Sequence, residues 1–74
     1  MSRLPSLTAK EVVRALTSAG FVEERQRGSH LRLYHSATKR QTVVPMHPGD
    51  LPRWLLKEII KQAGLSEDEF RKLL

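Results

Sequence analysis

At 74 residues the chain has room for one domain, 1–74, which buries only roughly 60% of the surface its unfolded form exposes, so a large cofactor pocket is not expected and no cofactor is implied. The absence of cysteine excludes a disulfide framework, an iron–sulfur cluster and a thiolate zinc site, and makes a reducing compartment, the cytoplasm, the expected location. Net charge is +5, distributed as +2 over residues 1–20, +3 over 21–48 and zero over 49–74, a pattern suited to binding a polyanion on one face.

Thr8, Ala9, Lys10 and Glu11 form a capping box with Leu7 and Val12 at staple positions, so a first helix is expected over about 8–19. Its apolar stripe is Val12, Val13, Leu16 and Ala19, and Gly20 is placed to end it. From Phe21 the period becomes alternating. Phe21 to Arg27 reads as a basic strand, Gly28 and Ser29 as a turn, and His30 to His35 as a second strand with Leu31 and Leu33 on one face and His30, Arg32 and Tyr34 on the other. After a polar loop, Gln41 to Met46 reads as a third strand, with Pro45 marking its end or an edge.

Pro48, Gly49 and Asp50 break the pattern. Leu51, Leu55, Leu56, Ile59, Ile60 and Ala63 then define a second amphipathic helix with Pro52 in its first turn and Gly64 after its end. Ser66 to Glu69 is a second capping box, with Leu65 and Phe70 at staple spacing, and opens a short terminal helix. No apolar stretch is long enough to cross a membrane, and neither an h-region nor a cleavage site begins the chain, so secretion by a standard signal peptide is not expected. The expected architecture is α+β: a three-stranded antiparallel sheet with two helices on one face and a short C-terminal helix.

Chemistry concentrates at one place. His30 follows a glycine turn and is surrounded in sequence by Arg25, Arg27 and Arg32, which puts an imidazole, a group suited to proton transfer near neutral pH, among phosphate-binding cations. Strand parity places Arg32 on the His30 face more securely than it places Arg25 or Arg27. His35 falls on the opposite face and reads as a strand-end residue. His47, between the third strand and the long helix, reads as ordering the Pro48 and Gly49 turn. No metal site is expected, because His30 and His35 cannot converge on one ion from a continuous strand and Glu23 and Glu24 lack ligand spacing.

The order of helix, basic strand, Gly28, Ser29 and His30, apolar strand, Val43 to Pro48, and the run from Leu56 to Phe70 resembles the HicA toxin family over nearly the whole chain. That resemblance implies a fold similar to the double-stranded-RNA-binding domain (α-β-β-β-α), cleavage of mRNA, and neutralisation by a HicB-type antitoxin. It also implies that His30, at the position of the family's glycine-x-histidine turn, is the catalytic residue. By residue type alone a histidine beside a turn is more often a plain surface residue; the resemblance reverses that expectation. Trp54 departs from the family, which often has a small residue there.

RNA carries its own nucleophile, so a metal-independent endoribonuclease needs proton transfer and cations around the phosphate. His30 is the expected acid or base, with Gly28, Ser29, Arg25, Arg27 and Arg32 as the expected RNA-binding set. The alternative is a non-catalytic module that binds A-form RNA by shape and phosphate contact. Binders of double-stranded RNA usually carry a lysine cluster at the start of the last long helix, whereas this one begins with Asp50, Leu51, Pro52 and Arg53, which favours the enzyme.

Overall fold

A computed structural model describes residues 4–74 of the chain. Helix α1 (Ala9–Ser18) begins at the capping box: the Glu11 N–H donates to the Thr8 hydroxyl oxygen, and the Thr8 N–H donates to the Glu11 carboxylate at 2.8 Å. The expected span of 8–19 thus takes in the two cap residues, Thr8 and Ala19. The helix ends in a Schellman motif around Gly20 at φ +106°, with the Phe21 N–H donating to Leu16 and the Gly20 N–H to Thr17. That closure turns the Phe21 ring into the core, 2% exposed, so the first strand starts one residue later than the alternation suggests.

Strands β1 (Val22–Arg27), β2 (His30–His35) and β3 (Arg40–Pro45) pair antiparallel in the order β1-β2-β3. Gly28, at φ +59°, and Ser29 close the first hairpin as a two-residue loop between the paired Arg27 and His30, the arrangement in which glycine stands first. The second loop turns through Lys39 at φ +63°, and β3 is paired from Arg40 onwards, one residue earlier than expected. It ends at Pro45, opposite His30, on the outer strand. There the missing N–H costs no ladder bond within the sheet.

Helix α2 (Arg53–Gln62) starts one residue after Pro52, which is its N-cap rather than part of its first turn. It ends, like α1, in a Schellman motif, now around Gly64, with the Leu65 N–H donating to Ile60 and the Gly64 N–H to Lys61. The Ser66–Glu69 capping box opens α3 (Glu67–Arg71), which seats Phe70 in the core.

The helices α1 and α2 lie under β3, and one core joins Val12 and Leu16 of α1, Leu31, Leu33 and Val44 of the sheet, and Leu56, Ile59 and Ile60 of α2. Thr42 is the one buried polar residue in this layer among the described residues, and its hydroxyl donates to the Gln62 side-chain oxygen at 2.8 Å. Every residue of β1 is exposed. The first strand therefore overhangs the helices, and among the described residues the opposite face of all three strands has no covering layer.

Candidate nucleic-acid interface

Opposed residues of antiparallel strands share a face, so the register builds the uncovered surface row by row. One row is Arg27, His30 and Pro45; the next is Arg25, Arg32 and Val43; the third is Val22, Tyr34 and Gln41. Arg25, Arg27, His30, Arg32 and Val43 together line a shallow depression of about 170 Å³. Three guanidinium groups and one imidazole thus converge where the chain's positive charge is densest in sequence.

The start of β1 joins this face through a bulge. Glu23 opposes Leu33, but Arg25, two residues on, opposes the next residue, Arg32, so Glu24 is an extra residue in β1. Strict alternation would put Val22 and Arg25 on opposite faces; the inserted residue puts both on the open one. The Glu24 carboxylate reaches back to the Arg32 guanidinium at 3.8 Å, with both side chains about half exposed. An exposed pair at that distance is worth about 0–1 kcal/mol, little enough for a better anion to displace it.

The turn that carries His30 is held from both sides. The Gln26 amide donates to the Gly28 carbonyl at 3.1 Å, and the Met46 N–H donates to the Ser29 carbonyl, which carries the β2–β3 ladder one step beyond the strands. Ser29 is half-buried in that loop, and His30 itself is exposed.

The other two histidines lie elsewhere. His35 faces the helix side: its Nε2 is 3.1 Å from the Ala19 carbonyl, its Nδ1 accepts the Thr38 N–H, and its ring meets Phe21 edge-on at 5.1 Å. It joins the end of α1 to the β2–β3 loop, as its parity suggests. His47 is exposed and lines a separate groove with Thr8, Lys10, Pro48 and Gly49, away from the depression around His30. Among the described residues no cluster of three histidine, aspartate or glutamate side chains suited to a metal ion occurs, and no helix is long and apolar enough to cross a membrane.

Two participants were not anticipated from sequence. Val43 enters the lining because β3 pairs it with Arg32, a register that no local signal sets, and Glu24 approaches Arg32 at a bulge, which leaves no signal in a strand as polar as β1.

The sheet and the two helices behind it define a small α+β protein with one basic, open side. Residues 9–65 match the family described as the HicA toxin of bacterial toxin–antitoxin systems, and the chain belongs to that family. It is thus a toxin of the toxin–antitoxin kind, for which a cognate antitoxin is the implied partner. No curated protein matches the chain.

Proposed function

We propose that the protein is a metal-independent endoribonuclease that cleaves mRNA in the cytoplasm. The observation that supports this best is the meeting of His30 with Arg25, Arg27 and Arg32 around one depression on the uncovered face. In the reaction the 2′-oxygen of RNA attacks the adjacent phosphorus, losing its proton, and the 5′-oxygen leaves, gaining one. The fragments carry a 2′,3′-cyclic phosphate and a 5′-hydroxyl. His30 transfers the proton at one end of this displacement, a contribution of about 10²–10⁴-fold. The guanidinium groups of Arg25, Arg27 and Arg32 hold phosphates and offset the charge that builds on the non-bridging oxygens. Gly28 and Ser29 keep the turn low and leave the imidazole accessible.

A HicB-type antitoxin neutralises the toxin by covering the same cations with an acidic surface. Arg27→Glu is expected to weaken that complex; normal inhibitor affinity in this variant would refute the shared surface.

The test of the enzyme is cleavage of a long single-stranded mRNA in EDTA by the native protein and by His30→Ala, each with a native circular dichroism spectrum. Native cleavage that His30→Ala abolishes supports the assignment. Retention of RNA without cleavage by the native protein would replace it with the binding-module reading. Cleavage that EDTA removes would refute metal independence.

A further inference from the structure

We propose that the uncovered sheet face takes a single strand of RNA and that Tyr34 is the residue on which one of its bases stacks. The inference rests on the reading of this face as an RNA surface and adds to it the form of the substrate and a residue that selects it.

Three successive outward positions of β2 carry an imidazole, a guanidinium and a phenol ring: His30, Arg32 and Tyr34. Outward residues of one strand stand about 6.6 Å apart, so a polynucleotide leaving His30 along β2 crosses Arg32 and arrives at Tyr34 about 13 Å away. The order suits an unstacked strand, with a phosphate at the imidazole, a phosphate at the guanidinium and a base at the ring. Tyr34, itself half-buried, stands between Val22, 59% exposed, and the exposed Gln41. That row is an apolar floor with a polar edge, on the face that no helix among the described residues covers.

A duplex has no use for such a row. Its bases are buried in their own stack, and proteins meet it through phosphates and 2′-hydroxyls. Splayed bases of a single strand, in contrast, stack on exposed aromatic rings almost regardless of sequence. The ordinary role of Tyr34 would be cross-strand packing on Val22, which stabilises a sheet by about 0.2–1 kcal/mol. Packing of that kind needs an apolar side chain, not an aromatic one, and this difference is what a leucine variant separates.

The probe is a fluorescein-labelled single-stranded 2′-O-methyl RNA of mixed sequence, which lacks the nucleophile and cannot be cut by the proposed chemistry, together with the same strand annealed to its complement. Binding is read by anisotropy for the native protein, Tyr34→Phe and Tyr34→Leu, each with a native circular dichroism spectrum. Tyr34→Phe is expected to bind the single strand like the native protein and Tyr34→Leu about 5- to 150-fold more weakly, the range a lost base–aromatic stack produces. In the native protein the ring protons of the chain's one tyrosine are expected to shift upfield in the NMR spectrum when the single strand is added, a readout that does not depend on any variant folding.

Equal binding by Tyr34→Leu, an unmoved tyrosine ring, or tighter binding of the duplex would overturn the inference while leaving an RNA surface in place. Failure of the native protein to bind either RNA would remove that surface and the inference with it. Tyrosine-dependent binding in a protein that leaves unmodified mRNA intact would uphold the inference and remove the endonuclease.

Discussion

If Arg25, Arg27 and Arg32 each hold a phosphate, RNA affinity must fall with salt at a rate set by their number. Each phosphate neutralised on a single strand contributes a slope of about −0.7 in log affinity against log salt. Three contacts give about −2.1, so raising salt from 50 to 200 mM weakens binding roughly 18-fold. Arg32→Gln removes one contact and leaves a slope of about −1.4, a loss of roughly sevenfold over the same range. Arg14 supplies the control: it is a cation of equal charge on α1, and it lines a groove on the helix side of the sheet with Lys10, Thr17 and Met46. Arg14→Gln lowers net charge by the same amount, yet it is expected to leave the slope unchanged. The assay is anisotropy with the non-cleavable single strand at four or more salt concentrations. Equal slopes for Arg32→Gln and the native protein, or a shallower slope for Arg14→Gln, would refute the assignment of phosphate contacts to the open face.

Two further predictions concern the frame that holds this face. An alanine at Gly20 would place its Cβ 2.7 Å from His35 Nε2 and would have to adopt φ +106°. Gly20→Ala is therefore expected to cost about 1–2 kcal/mol through the backbone and about 1 kcal/mol more by displacing a hydrogen-bonded ring. In a His35→Ala background only the backbone part should remain, and urea titrations followed by circular dichroism that give the same cost in both backgrounds would count against the contact. The second prediction concerns acid. The Thr8 and Ser66 backbone N–H groups, with their hydroxyls, hold the Glu11 and Glu69 carboxyls below the ordinary value of 4.5. Because the folded values are lowered, the stabilisation is present above the unfolded value and is lost as pH falls through the folded one. Melting temperature should then drop below about pH 4.5 in the native protein and drop less in a Glu11→Gln, Glu69→Gln double variant, whose caps no longer titrate.

The helical half of the fold was legible because its signals are local. Thr8 with Glu11, and Ser66 with Glu69, announce two helix starts with four residues each, and Gly20 and Gly64 mark two Schellman ends. The second strand was legible for a similar reason: Leu31 and Leu33 declare a buried face, which fixes the direction of His30, Arg32 and His35. Strand β1 declares nothing. Its Glu23 to Arg27 stretch is polar throughout and exposed throughout, so no hydrophobic alternation reveals which side chains point where, and a bulge within it leaves no trace in composition. The parity of Arg25 and Arg27 is set by pairing with β2, a property of two strands together. The Thr42 to Gln62 hydrogen bond was hidden for the same reason, since it joins elements twenty residues apart.

The exposed first strand has a consequence for the molecule once it stands alone. A toxin acts only when its antitoxin is gone, so it must remain dispersed with an unpaired sheet margin in solution. The outer margin of β1 is a row of free peptide groups, the kind of template on which other strands assemble. Here that template carries four charges in six residues and a kink at Glu24, and both oppose stacking of one chain on the next. The irregularity that brings Val22 onto the open face also guards the solubility of the liberated protein.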